Sequence, residues 1–273
     1  MPAETVTAAD LAGAVRAGSG AVEPAGAVRV RGGAPGDTAP RAGAVTADPA
    51  GAVRAWRDAD PYAEALRAGR GPLFLRRGDG WLLPLDVERW CAAPDRADAT
   101  VLERCRGSVL DVGCGPGRLV AALAALRRPA LGVDVSREAV DRTIRAGGTA
   151  LCRSVFDPLP DEGGWGTVLL MDGNIGIGGD PVALLRRVAE LARPDGRVIV
   201  ETAPHEVDER VDVRVDDGRG GESARFPWAR VGPRALLPHA AAAGWRPVTQ
   251  WRSEGRPFTQ LVRAPGPAGP RRD

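Results

Sequence analysis

The 273-residue chain contains no lysine; its 37 basic side chains are all arginine. Without lysine there is no Schiff-base nucleophile, which excludes pyridoxal-phosphate enzymes and Schiff-base aldolases. A GxxxxGK[ST] phosphate loop is excluded for the same reason. Histidine occurs twice, at His205 and His239, and the four cysteines (Cys91, Cys105, Cys114 and Cys152) form no CxxC pair. No metal site is therefore expected. Four cysteines in a chain of this length do not make a disulfide framework and read as the reduced thiols of a cytoplasmic protein. No apolar run approaches about 18 residues and no basic segment leads into one, so neither a membrane span nor a signal peptide is expected. A net charge of +2 provides no basic field for nucleic acid.

Glycine and proline are abundant, at 36 and 24 residues, and much of that excess lies at the two ends. Residues 1–54 are rich in Ala, Gly, Val and Pro, with Gly-Ala-Val triplets beginning at Gly13, Gly20, Gly26, Gly43 and Gly51, and hold no aromatic residue. The triplets are irregularly spaced, so they mark low complexity and not a structural repeat. Such small side chains bury too little area to offset the entropy of ordering the backbone, and a tail without fixed structure is expected. Residues 265–273 read the same way. The rest divides into a cap segment over 55–106, carrying Trp56, Tyr62, Phe74, Trp81 and Trp90, and a main domain over 107–264 with an insert at 205–231 that is a candidate lid.

Periodicity in the main domain alternates between strand and helix. Short apolar runs at 108–112, 130–134, 149–153, 167–171 and 197–202 read as strands. Leu119, Leu123 and Leu126 share one helix face, as do Leu184, Val188 and Leu191. Ser136 is placed to cap one helix that Gly147 and Gly148 end, and Asp180-Pro181 to open another. This alternation predicts an α/β fold with a doubly wound, mostly parallel sheet. Residues 236–243 look helical. Strands over 245–251 and 257–263, joined by Ser253-Glu254-Gly255-Arg256, make an antiparallel hairpin, because a parallel crossover needs a dozen residues or more.

The strongest motif is Asp111-Val112-Gly113-Cys114-Gly115-Pro116-Gly117, where a strand ends, three glycines alternate and a helix begins. Glycines there allow positive φ and close approach of a ligand to the main chain, and the helix start offers free N–H groups. The nicotinamide fingerprint G-x-G-x-x-G is the competitor, but here the third glycine comes one position early and Arg118 fills the slot. Asp134 ends the second strand, where a carboxylate can accept both ribose hydroxyls of an adenosine ligand.

These residues resemble motif I of the class I S-adenosylmethionine-dependent methyltransferases, and the resemblance runs from 108 to 263. It implies a seven-stranded sheet in which Asp111, Gly113, Cys114, Gly115 and Gly117 form the turn that binds S-adenosylmethionine, whose product is S-adenosylhomocysteine. Asp134, with Val135 beside it, matches the ribose site. Phe156-Asp157 matches the place where an apolar residue and an acid flank the adenine, and Met171-Asp172-Gly173 matches motif IV. Residues 193–200 resemble the L-x-P-G-G-x-L-x-V stretch, with Asp195 replacing a Gly. The end hairpin matches the strand that separates this fold from nicotinamide-binding domains. Cys114 also has a plain reading as the filler of a small slot, and Asp157-Pro158 as a turn.

On the acceptor side the residues are less explicit. Arg89 is the candidate for the methionine carboxylate. His205 and Asp172 are the candidate general bases, of use where the acceptor is a hydroxyl. The segment 172–180 holds the sole Asn and four glycines and reads either as a flexible loop or as backbone facing the ligands. Residues 211–215 alternate apolar and charged, which predicts an exposed strand able to pair with 226–231, and Trp228 is placed on an exposed loop at the acceptor pocket. The resemblance implies methyl transfer to a small-molecule acceptor, with no nucleic-acid or membrane partner. A nicotinamide-dependent oxidoreductase and a cofactor-binding protein without turnover are the alternatives. Because the tail lacks apolar mass, limited proteolysis that trims residues 1–54 should leave the affinity for S-adenosylhomocysteine unchanged; loss of binding on trimming would make the tail part of the site.

Overall fold

The computed structural model describes residues 60–265. The expected tail at 1–54, Trp56, and all but the first residue of 265–273 lie outside the described residues. In chain order the elements are α1 (Asp60–Ala68), β1 (Phe74–Arg77), β2 (Leu82–Pro84), α2 (Val87–Cys91) and α3 (Arg96–Leu102). Strands and helices then alternate through β3 (Val109–Val112), α4 (Arg118–Ala125), β4 (Ala130–Asp134), α5 (Arg137–Arg145), β5 (Ala150–Cys152), β6 (Trp165–Leu170), α6 (Pro181–Leu191) and β7 (Ala192–Glu201). The chain continues with β8 (Asp208–Asp216), β9 (Phe226–Val231), α7 (Leu236–Ala242), β10 (Trp245–Ser253) and β11 (Arg256–Arg263).

Local chemistry sets the boundaries. The Ser136 hydroxyl accepts from the Ala139 N–H to open α5, and Asp180 accepts from the N–H groups of Val182 and Ala183 with Pro181 in the first turn of α6. Glu254 and Gly255 both take positive φ, which matches a two-residue turn to the twist of β10 and β11. The fifth parallel strand begins earlier than its periodicity predicts. Ala192 already pairs with Trp165, and the register shifts before Arg197 pairs with Thr167, so Pro194-Asp195-Gly196 forms an irregularity inside the strand and does not precede it.

Seven strands make one sheet in the order β10-β11-β7-β6-β3-β4-β5. β3 to β7 are mutually parallel, and β11 is antiparallel to both β7 and β10. Period-two alternation divides the core. Leu110, Val168, Leu170, Val198 and Val200 face α6 and α7, while Val109, Leu169, Met171 and Ile199 face α3 and α4. The strand order turns back between β3 and β6, so the loops after these two strands diverge and leave a crevice at the carboxyl edge.

A second sheet, β2-β1-β8-β9, stands over that crevice, antiparallel throughout. The pairing of 211–215 with 226–231 is as expected, but the strand is not exposed. β1 flanks it on the other side, and Val213 and Val215 are buried with Leu66 of α1 and Leu75 of β1. Trp228 likewise lies in β9 and not on a loop; it is 9% exposed and packs edge-on against Phe226. The cap segment and the lid insert, far apart in sequence, are thus one sheet.

The glycine-rich segment after β6 is clamped under β9. Ile177 forms a bridge with Trp228, and the Gly179 Cα lies where an added Cβ would come within 2.7 Å of Pro227. A Cβ on Gly176 would run into the Ala229 carbonyl and within 2.7 Å of the Trp228 ring. Replacing Gly176 with Ala overpacks this contact at a cost of about 1–3 kcal/mol. The expected fall in Tm is roughly 2–12 °C; thermal unfolding of the variant at the native midpoint would show that β9 does not rest on the loop.

Candidate active site

The crevice between the two sheets is a cavity of about 990 Å³, counted out to its open mouth. Its sheet side is built by the ends of β3, β4 and β6 and the loop after β5: Gly113, Gly115, Asp134, Val135, Phe156 and Asp172 all line it, and Cys114 joins them. The glycine turn lies against β4. The N–H groups of Gly113 and Cys114 donate to the Val133 carbonyl at 2.8 and 3.1 Å, and the Gly115 N–H donates to Asp134 Oδ2 at 2.9 Å. Gly117 takes φ of +85° beside Thr143 of α5, whose hydroxyl occupies the place of a Cβ and donates to the Gly115 carbonyl at 3.0 Å. Cys114 fills a slot against Gly132, and burial pushes its thiol well up, so it is a packed thiol and not a nucleophile.

Asn174 holds the turn from the other side. Its Nδ2 donates to the carbonyls of Val112 and Gly113 at 2.8 and 2.9 Å. A Cβ on Gly113 would stand 2.5 Å from that nitrogen, so the single asparagine and the first glycine of the motif require one another. Of the two readings of the 172–180 segment, this contact disfavours the flexible loop, because Asn174 ties it to the glycine turn.

Two carboxyl groups near the turn are displaced upward. Burial raises the Asp134 carboxyl to about 6, against the pull of backbone N–H groups from Ser136 and Gly115. Burial also raises Asp111 to about 7, with the Arg118 guanidinium opposing and neighbouring carboxylates assisting. Asp111 is buried on the α3–α4 face of β3 and does not line the cavity.

Asp172 behaves in the opposite way. Burial alone would raise it, but Arg118, Arg89 and Arg256 hold it well below the usual carboxylate range. Arg89 Nη2 donates to Oδ1 at 2.7 Å and Arg118 Nη1 to Oδ2 at 2.8 Å. The residue sits at φ of +56°, its N–H donating to Glu201 Oε2 at 2.9 Å. Behind it the network continues. Arg118 also pairs with Asp98 at 2.7 Å, and Arg256 reaches Glu201 at 2.8 Å, Asp95 at 2.9 Å and Asp98 at 3.0 Å. Asp98 is fully buried and its carboxyl stays below its ordinary value because Arg118 and Arg256 outweigh the burial.

Several expected site residues stand elsewhere. His205 is exposed in the loop after β7, 3.0 Å from Arg230 Nη2, and is not part of the cavity wall. Met171 continues the alternation of β6 and is 2% exposed in the α3–α4 core, so it packs and does not face the cavity. Asp157 is exposed and accepts from the Ser154 N–H, the turn role, while Ser154 and Val155 line the cavity in its place. Gly173 takes φ of +81° to start the turn at Asn174 and does not line the cavity. Arg89 reaches the site through Asp172 and retains a buried Nη1 without a partner. Trp81 lies between Arg77 and Arg230 outside the cavity, whereas Trp90 and Trp228 line it. Asp98, Glu201 and Arg256 escaped the sequence reading. Asp98 carried one signal, its place in the Asp95 capping box.

Removing one partner from a buried pair leaves an uncompensated charge, at about 3–5 kcal/mol. Asp98→Ala should therefore destabilise the protein by about that amount, because the buried Arg118 keeps only Asp172 and Arg256 loses the buried carboxylate it shares with Arg118. Denaturant unfolding measures it, and a loss under about 1 kcal/mol, the range of exposed pairs, would show that the network is solvated.

A family model described as a methyltransferase domain matches residues 86–248. Among solved structures, an S-adenosylmethionine-dependent methyltransferase from Bacteroides fragilis in complex with S-adenosyl-L-homocysteine superposes with a TM-score of 0.64 at 20% identity, covering 78% of this chain and 96% of that one. The 1,6-didemethyltoxoflavin-N1-methyltransferase of Burkholderia thailandensis is similar at TM-score 0.46 and 20% identity, over 62% of this chain and 78% of that one. The sugar N-methyltransferase KedS8 from Streptoalloteichus gives 0.45 and 20%, over 62% and 85%. No curated protein matches the chain. At these identities the structures speak to the fold; the family match spans more than half of the chain and contains the glycine turn, Asp134, the Asp172 segment and β9. The chain belongs to the methyltransferase-domain family.

Proposed function

We propose that the protein transfers a methyl group from S-adenosylmethionine to a small-molecule acceptor. The observation that carries this reading is the bare glycine turn with Asp134 at the end of the next strand, both opening into one cavity. The nicotinamide alternative is disfavoured by Arg118. Where that fingerprint needs a glycine, this chain has a buried guanidinium committed to Asp98 and Asp172.

The charges fit a cationic cofactor. The network behind the floor sets five carboxylates (Asp86, Asp95, Asp98, Asp172 and Glu201) against three guanidiniums (Arg89, Arg118 and Arg256), an excess of two negative charges. When bound, S-adenosylmethionine supplies a methyl group made electrophilic by its sulfonium. Asp134 keeps one hydrogen bond on each oxygen to the backbone of Gly115 and Ser136, and its remaining lone pairs accept the ribose hydroxyls. Val135 and Phe156 offer apolar contact to the adenine. Arg89, the residue expected at the methionine carboxylate, does not line the cavity and has its Nη1 buried, so it acts behind Asp172 and not on the cofactor. Asp172 fixes Arg89 and Arg118; as a carboxylate held by three cations it is a poor proton acceptor, and we assign it a positioning role. Most of what the chain contributes to an in-line displacement is orientation and exclusion of water, the latter by the second sheet.

Asp134→Ala removes charge-assisted hydrogen bonds of about 1.5–3 kcal/mol each. The variant should bind S-adenosylhomocysteine at least tenfold more weakly in calorimetry, with an unchanged circular dichroism spectrum. Equal affinity would remove Asp134 from the ribose site.

A further inference from the structure

The half of the cavity that faces the sheet is accounted for by the cofactor assigned above, and the inference that follows rests on that reading. The other half is formed by the second sheet and its helices through Tyr62, Leu75, Leu85, Trp90, Pro227 and Trp228. These side chains make an aromatic and aliphatic wall with no charged group among them. Burying an ion against such a wall is costly without a partner, whereas a neutral aromatic molecule gains apolar contact with it.

The ionisable groups that line the whole cavity are Tyr62, Cys114, Arg118, Asp134, Arg153 and Asp172, among the described residues. None is a free proton acceptor for a substrate. Arg118 and Arg153 are cations. Tyr62 and Cys114 are held protonated by burial. Asp172 has both oxygens on guanidiniums. Asp134 has both oxygens on backbone N–H groups and its remaining capacity assigned to the ribose. The two histidines are elsewhere, His205 against Arg230 and His239 at 2.9 Å from Asp208. An alcohol acceptor needs a base to remove its proton, and an alkylamine arrives protonated, with no lone pair to offer. The acceptor must instead present a lone pair at neutral pH and be uncharged.

We infer that the acceptor is a neutral aromatic amine, seated against the cap residues and attacking without a protein base. Its nitrogen lone pair forms the bond to the methyl carbon as the carbon–sulfur bond breaks, and that electron pair stays on sulfur. The sulfonium becomes a thioether, the positive charge passes to nitrogen, and the N–H proton then leaves to water.

The test uses the full-length protein and begins with calorimetric binding of S-adenosylhomocysteine. Failure of that binding overturns the cofactor reading and this inference with it. On protein saturated with S-adenosylhomocysteine, the probes are 6-aminoquinoline and aniline (neutral), benzylamine (cationic) and benzoate (anionic), at about pH 7.5, where these charge states hold. At least one neutral amine should bind tenfold or more tighter than either ion. With S-adenosylmethionine supplied, that amine should be methylated on nitrogen, with kcat/KM independent of pH above its own pKa, and phenol and benzyl alcohol should react at least tenfold more slowly. Tighter binding of an ion, methylation of an alcohol or phenol at a comparable rate, or no binding of either neutral amine at millimolar concentration would each overturn the assignment while leaving the cofactor site in place.

Discussion

Arg118 leaves the glycine turn in the first position of α4 and carries a buried guanidinium between Asp98 of α3 and Asp172 after β6. The ion pairs behind the cavity floor are tied to that guanidinium. Through Asp172 it reaches Arg89 of the cap; through Asp98 it reaches Arg256 at the start of β11, and from there Glu201 at the end of β7. Segments separated by more than 150 residues are thereby fixed to one another at the carboxyl edge of the sheet. A network this buried adds little net stability compared with an apolar core of the same shape. What it contributes here is position: the left-handed backbone of Asp172 and the direction of Arg89 are determined by groups with no freedom to move.

The second constraint is close packing of glycine. Gly113 admits Asn174, Gly117 admits Thr143, and Gly176 admits the backbone of β9. Each removes a side chain so that another element can approach the site. The first two shape the glycine turn, and the third seats β9. Neighbours occupy the places of the missing side chains in this glycine-rich stretch, and the bridge between Ile177 and Trp228 joins the loop after β6 to β9 at the cavity wall.

Much of this was legible in the sequence, and the division has physical causes. The parallel strands, their helices and the end hairpin announce themselves through local periodicity and caps, which need no knowledge of tertiary contacts. The ends of β3, β4 and β6, and hence Asp134 and Asp172, follow directly. Long-range pairing does not. β1 and β8 lie some 140 residues apart, so nothing local distinguishes an exposed alternating strand from one sandwiched as β8 is. For the same reason Trp228 read as a loop residue and is a strand residue. Met171 was misplaced because motif order locates a strand end but not which face the last residue takes. His205 was drawn to the site by its rarity, whereas its loop turns outward to lead into β8. Asp98 and Arg256 carry ordinary local signals, a cap and a hairpin end, and only their convergence on Arg118 gives them a role.

The account stands on Asp134 as the carboxyl that receives the cofactor. In the free protein burial raises it to about 6, so near that pH it is partly protonated. Hydroxyl donors favour the ionised form, so binding must lower its pKa and expel a proton. Titration with S-adenosylhomocysteine in two buffers of different ionisation enthalpy counts that proton directly. The account predicts net proton release near pH 6 that fades toward about pH 8, with affinity rising as pH increases through 6 and then levelling. Binding with no proton exchange and the same affinity across that range would contradict it.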